Sequence, residues 1–422
     1  MRVVGPPRIQ MAVAAWACLG LAGCSGGSSV DQSAELVSSD SAGVVLVSFE
    51  NDRLPPPVQL DAEPEWILGD GADSDLGLDL ELFRVVDVAQ FPDGRIAIAE
   101  GSTQQILVVD IALRTVERLG GDGDGPLEFR SLSRLFISSD GILSAYDSRR
   151  NRLLTFHMSA DSISERALAQ VAAPGIVPRL DIDGVGTIYK SVVPGLLGGQ
   201  GVGRPPGAVV MIGEGVDTLA IVAGLEAFRS AMGAGAVIFG NTTWTAADGG
   251  QGVWIGDTAE EEVRLWRGRG DLGRVVRWVP TPREVSEGDI RSFFRTMDDA
   301  APPGTPPPSS TLRDVLPFAE RWPAFGRLLA AEGGDLWISQ AVDPAVDLLG
   351  EGEPPPEEWT VVRFGEEMAE RVVTPSGFRV MEIRGEHLLG VHRDEHGIET
   401  VRLYRWRAGG GREASSRPDL QE

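Results

Sequence analysis

Short apolar runs separated by turn residues follow one another along nearly the whole chain, with little of the periodicity of a helix. The clearest stretch runs from Phe83 to Gly120. It contains Val85-Val86-Asp87-Val88-Ala89, a turn at Asp93-Gly94, Arg95 to Ala99, Gln105 to Asp110 and Thr115 to Leu119. That order predicts four strands joined by hairpins. The next stretch repeats it: Leu135 to Ile137, a turn at Asp140-Gly141, Ile142 to Tyr146, Arg152 to Phe156 and Glu165 to Leu168. The two Asp-Gly turns lie 47 residues apart, and Asp183-Gly184 follows after another 43. Asp-Gly suits a tight hairpin because both central positions need positive φ. Similar turns at Asp248-Gly249, Gly333-Gly334-Asp335 and around Gly385 bring the number of units to six.

Six such units predict an all-β, six-bladed β-propeller over residues 40–407. The last unit, with His387 to Val391 and Thr400 to Trp406, lacks a fourth strand, while Gly43 to Val47 stands unpaired before the first. The N-terminal strand is therefore expected to complete the final blade, which would leave no sheet edge at the seam. Pro194 to Gly207 reads as a surface loop in blade three. A small helical insertion, about 281–323, is expected between blades four and five. Thr281-Pro282-Arg283-Glu284 has capping-box spacing with proline at the first helical position. Ile290, Phe293, Phe294 and Met297 follow as one apolar helical face, Pro302 to Pro308 breaks the helix, and Leu312 to Trp322 suggests a second short one. Residues 408–422 read as a disordered polar tail.

The segment from Gly120 to Phe129, Gly-Gly-Asp-Gly-Asp-Gly-Pro-Leu-Glu-Phe, resembles the blade-connecting loop of NHL-like and TolB-like six-bladed propellers. Asp40 to Val44, Phe91-Pro92-Asp93-Gly94-Arg95 and Arg393-Asp394-Glu395 are similar to parts of bacterial cell-envelope propeller lipoproteins. Leu127 stands where that family often has glycine, and blades three and four match it poorly. The resemblance implies a fold rather than an activity.

The N-terminus adds an address. Arg2 and Arg8 form a basic start, and Ile9 to Ala22 is an apolar stretch too short for a comfortable span, so residues 1–23 read as a signal peptide. It ends in Leu21-Ala22-Gly23-Cys24, which resembles the bacterial lipobox, so Cys24 is the expected lipidation site. Residues 24–39 then hold the lipidated cysteine and a flexible tether that begins Ser25-Gly26-Gly27-Ser28-Ser29. Ser25 rather than Asp after the cysteine resembles the signal for the outer membrane of a Gram-negative host. The expectation is an exported monomer held in the cell envelope by lipid.

Removing residues 1–23 also removes Cys18, which leaves Cys24 as the last cysteine. Disulfides, thiol catalysis, zinc–thiolate sites and iron–sulfur clusters are thereby excluded. The formal charge is −24, and loss of the signal, with two arginines and no acid, makes it more negative. Such a field repels nucleic acid, and no nucleic-acid partner is expected.

Candidate sites are few. The glycine loop carries Asp122 and Asp124 and leads into a strand, unlike a phosphate loop. Asp70, Asp73, Asp75, Asp79 and Glu81 do not match the spacing of a calcium loop. His387 and His392 should point to opposite strand faces, and His392 and His396 flank a turn, so the three do not read as a metal site. Arg84, Arg134, Arg179, Arg327 and Arg379 fall near the start of five inner strands, where they could line an anion-binding channel mouth or pair with carboxylates between blades. The function expected is a membrane-anchored ligand-binding or protein-interaction module, with a small anionic ligand or an envelope protein as partner. The alternatives are a propeller-type hydrolase, lactonase or lyase with a divalent cation in its channel, and a purely structural role. No cofactor motif is present.

Overall fold

Alternating burial on short strands dominates the computed structural model, which describes residues 34–61, 63–69, 80–157, 162–168, 179–182, 186–192, 200–213, 216–230, 233–248, 252–279, 282–349 and 353–406, all within the unit Gln32–Glu422. Cys24 with its signal and tether, the acids from Asp70 to Asp79, the Asp183-Gly184 turn and the tail after residue 407 lie outside the described residues. No helix among the described residues is long and apolar enough to cross a membrane.

Six sheets each contain four antiparallel strands paired in succession. The first comprises Val85–Gln90, Ile96–Glu100, Gln105–Asp110 and Thr115–Gly120. The second comprises Leu132–Ile137, Leu143–Asp147, Arg152–His157 and Ser162–Ala167, and the third Arg179–Ile182, Ile188–Val192, Pro206–Ile212 and Val216–Ala223. The fourth begins at Thr243–Ala247, the fifth at Leu328–Ala330 and the sixth at Phe378–Arg384. The hairpin glycines Gly94, Gly141, Gly334 and Gly385 all have positive φ, as their turns require.

The period-two pattern explains how the sheets assemble. On Ile96–Glu100, Ile96 and Ile98 enter one core while Ala97 and Ala99 enter another. Each sheet thus shares a core with the next in order. Ala145 and Leu154 of the second sheet meet Ala97 and Val108 of the first, and Tyr146 and Leu153 meet Leu180 and Ile188 of the third. Tyr189 meets Val253, Trp254 meets Leu336, and Trp337 meets Leu388. Val391 and Leu403 of the sixth sheet pack with Ile98 and Leu107 of the first. Each fully buried aliphatic side chain contributes about 1.5–3 kcal/mol, so these shared faces hold the sheets together. The architecture is all-β and propeller-like.

The expected role of the N-terminal strand is corrected. Val44–Glu50 lies parallel to Asp271–Val279, on the outside of the fourth sheet, with Arg274 opposite Val45 and Val279 opposite Glu50. Phe49 stacks on Trp278 there at 6.1 Å. The fourth strand of the sixth sheet is Trp66–Leu68, antiparallel to Glu399–Arg405, and Leu68 is fully buried against the first sheet. The longer apolar run lies on an outer edge, whereas Trp66–Leu68, nearer in sequence to Val85, packs in the core shared by the sixth and first sheets. Between these two pairings, Val58–Gln59 joins the outer strand of the fifth sheet, which Ala34–Glu35 also pairs with.

The insertion is helical, but its start differs. The helix Glu287–Asp299 is capped by Ser286, whose hydroxyl accepts from the Asp289 N–H while the Asp289 side chain accepts from the Ser286 N–H. Glu284 instead forms a bridge with Arg321, which keeps residues 282–285 extended. Phe293 and Phe294 are buried, with Ile290 and Met297 packed beside them. The second helix is Ser309–Leu312 rather than 312–322, because Ile238 donates to the Pro317 carbonyl and Phe318 bridges to Ile238. In the Pro194 to Gly207 segment, Gly201–Gly203 joins a small sheet with Ala227–Ser230 and Gly233–Ala236.

Gly120 shows why the glycine loop is built as it is. Its φ is +84°, and a Cβ there would come within 2.6 Å of the buried Phe129 ring. Asp122 and Asp124 pair with Arg130, and Arg152 donates to the Glu128 carbonyl. The loop therefore anchors the first sheet to the second.

Candidate functional site

Inner strands begin at one end of the sheets, and in an antiparallel meander the second-to-third turns and the crossovers must lie at that same end. Acids at the close of second strands organise it. Glu100 accepts from the N–H groups of Arg84, Ser102 and Thr103 and from the Thr103 hydroxyl. Burial alone would raise its pKa, yet these hydrogen bonds hold it below the ordinary range. Asp147 likewise accepts from the N–H groups of Arg130, Ser131 and Arg150.

Over the third, fourth and fifth sheets this end is roofed. Ile238 and Phe239, the helix Glu287–Asp299, Phe318, Trp322 and Ala345 form one apolar cluster. Over the sixth, first and second sheets the described connections include short turns, at Gly101 to Gln104, Ser148 to Asn151 and Asp394 to Gly397. Phe83 (67% exposed) and Ile398 (55% exposed) lie on this side.

The five arginines do not share one environment. Arg84 and Arg379, on the adjoining first and sixth sheets, are exposed, and Arg84 also lies near the carboxylate of Glu399. Arg327 is tied down: it pairs with Glu357 at 2.6 Å, donates to the Val380 carbonyl at 2.8 Å and lies 4.8 Å from the centre of the Trp359 ring. Arg134 bridges Asp87 at 3.5 Å and Asp181 at 3.4 Å. Arg179 opens its strand, but its side chain lies outside the described residues.

Around Arg134 the inner strands carry a polar belt. Asp87 accepts from the N–H groups of Val88 at 3.1 Å and Leu135 at 2.8 Å, joining the first sheet to the second. Asp181 accepts from the Thr245 hydroxyl at 2.6 Å, joining the third to the fourth. Glu382, on the sixth, accepts from the Gln90 N–H of the first at 2.6 Å and pairs with Arg384 at 3.3 Å. Burial raises Asp87 above the usual carboxylate range despite Arg134, and pushes Glu382 up to about 7. Desolvation opposes the Arg134 charge, but Asp87 and Asp181 together hold its pKa above the ordinary value. Its side chain is still 43% solvent-accessible, so the belt is reached by water.

Sequence reading missed Asp87, Asp181, Thr245 and Glu382. For the three acids a signal was present: each stands between apolar residues on the first strand of its unit, in Val86-Asp87-Val88, Leu180-Asp181-Ile182 and Met381-Glu382-Ile383. An acid in an otherwise apolar inner strand needs partners from the neighbouring sheet.

Among the described residues no three His, Cys, Asp or Glu side chains converge as a metal site. His387 lies 3.4 Å from Glu65, at the opposite end of its strand from His392. His392 is half-buried, which lowers its pKa. His396 occupies the turn at which Asp394 accepts from the N–H groups of His396 and Ile398.

No protein-family model matches the chain, and no curated protein matches it. Solved structures do. The chain is similar to a candidate exported protein of Bacteroides fragilis, at 10% identity and a TM-score of 0.45 over 86% of this chain and 99% of that one. It is similar to a gluconolactonase of Xanthomonas campestris, at 11% identity and a TM-score of 0.40 over 83% and 97%. It is also similar to virginiamycin B lyase of Staphylococcus aureus, at 11% identity and a TM-score of 0.36 over 76% and 95%. All three TM-scores lie under one half, and the strand pairings above, rather than these likenesses, define the fold.

Proposed function

We propose that the chain is an exported, lipid-anchored six-bladed propeller, closed where the sixth and first sheets meet, that acts as a binding module in the cell envelope. Its recognition surface is the end at which the inner strands begin, and its ligand is a small anion held over Arg84 and Arg379. The observation that carries this reading is the division among the arginines. Arg134 and Arg327 already pair with carboxylates, whereas Arg84 and Arg379 stand exposed on adjoining sheets, at the end that carries the short turns Gly101 to Gln104 and Asp394 to Gly397. Guanidinium groups present fixed paired donors suited to carboxylate or phosphate. The shared core of Leu68, Ile98 and Leu403 supports closure, and the lipobox supports attachment at Cys24.

Calorimetric titration with citrate and with inorganic phosphate tests the ligand class. Saturable binding that Arg84→Glu/Arg379→Glu abolishes is expected, and binding unchanged in that variant would sink the proposal. Incorporation of radiolabelled palmitate, lost in Cys24→Ala, tests the anchor separately.

A further inference from the structure

Of 38 basic residues only Lys190 is a lysine, and it is buried. It lies on Ile188–Val192, beside Ile188, whose side chain enters the core between the second and third sheets. Its Nζ donates to the Asn151 Oδ1 at 2.6 Å, and the Tyr146 hydroxyl donates to that same oxygen at 3.0 Å. The Asn151 amide in turn donates to the Leu168 carbonyl at 2.8 Å. Asn151 is half-buried with φ +51° and closes the turn at the end where the inner strands begin, so the amine is hydrogen-bonded from that end. Among the described residues no carboxylate pairs with Lys190.

An ammonium held by one neutral acceptor in an apolar interface is costly, and the group relieves the cost by giving up its proton. Burial accordingly pulls the Lys190 amine below the ordinary lysine range. Arginine could not respond in this way, because guanidinium stays charged. The chain uses arginine at every other basic position and lysine at the one where a proton can be shed.

We propose that Lys190 is a nucleophilic amine that takes a small aldehyde or ketone as an imine. The Nζ lone pair attacks the carbonyl carbon, and the C=O double bond opens to a carbinolamine. The carbinolamine hydroxyl leaves as water, taking a proton from the Tyr146 phenol, which recovers one from the nitrogen as C=N forms. One water is released per imine and nothing is oxidised or reduced. Burial and the neighbouring Asp147 push Tyr146 up to about 12, so the phenol starts protonated. Burial of the amine restricts the ligand to small carbonyl compounds.

The test treats the full chain with acetaldehyde and cyanoborohydride at neutral pH, trapping the imine as an N-ethyl group read by mass spectrometry of the Lys190 peptide. Faster ethylation in the folded chain than in urea is expected, because the lowered pKa leaves more of the amine unprotonated at neutral pH. Tyr146→Phe should slow it while leaving the melting temperature nearly unchanged, and Lys190→Arg should abolish it. A folded chain that reacts no faster than the unfolded one overturns the proposal, as does an unchanged rate in Tyr146→Phe.

Discussion

The carboxylate of Glu382, on the first strand of the sixth sheet, accepts a hydrogen bond at 2.6 Å from the backbone N–H of Gln90, on the first strand of the first sheet. It ties the last sheet of the chain to the first across 292 residues of sequence. A carboxylate at such a junction makes the joint sensitive to protonation.

Its folded pKa, about 7, lies above the 4.5 of an ordinary glutamate. The folded state therefore holds the proton more tightly than the unfolded state between those values, and stability falls as pH rises through that window. At about 1.4 kcal/mol per unit the effect is on the order of 3 kcal/mol. Urea denaturation of Glu382→Gln at pH 5 and pH 8 should show a smaller difference between the two conditions than the parent shows. An unchanged difference would mean that the group does not titrate in this window.

Arg134 lies between two acids, Asp87 and Asp181. Arg134→Met removes the cation between two buried acids and, with the arginine side chain itself half exposed, should cost about 1–3 kcal/mol. Adding Asp87→Asn and Asp181→Asn to that variant should restore a large part of the loss. Chemical denaturation of the single and triple variants tests this, and additive losses would contradict it.

Thr245 supplies a donor to Asp181 from the fourth sheet. Thr245→Val keeps the shape and removes the hydrogen bond, so a loss of about 1–3 kcal/mol is expected. If Asp181→Asn lowers stability equally whether residue 245 is Thr or Val, the two side chains are not coupled.

The place of Trp66–Leu68 as fourth strand of the sixth sheet separates two apolar positions of the N-terminal segment. Leu68→Ala should cost about 2–5 kcal/mol, because it opens a cavity in a fully buried core. Val37→Ala, at a position 69% exposed on the outer edge of the fourth sheet, should change stability by about 0.5 kcal/mol or less. Thermal melts of both variants are sufficient, and a Val37 loss matching that of Leu68 would count against the assignment.

Hydrophobic periodicity by itself determined the strands of the first and second sheets and the Asp-Gly hairpins, because alternation and positive-φ turns are local properties of the chain. The Phe293 and Phe294 face was legible for the same reason, while its cap was misplaced: Thr281 and Glu284 have the spacing, but the extended bridge from Glu284 to Arg321 excludes a helix there. Only tertiary structure decided which run fills the sixth sheet. Gly43 to Val47 and Trp66 to Leu68 are both apolar, and partner edges formed by residues 271–279 and 399–405 choose between them. The same holds for the arginines. Their recurrence near strand starts was visible in one dimension, but whether a guanidinium meets a carboxylate or solvent depends on the neighbouring sheet. Arg134 found Asp87 and Asp181, and Arg327 found Glu357, while Arg84 and Arg379 stayed exposed. Pairing across sheets brings together residues far apart in sequence, and no local pattern along a single chain encodes that distance.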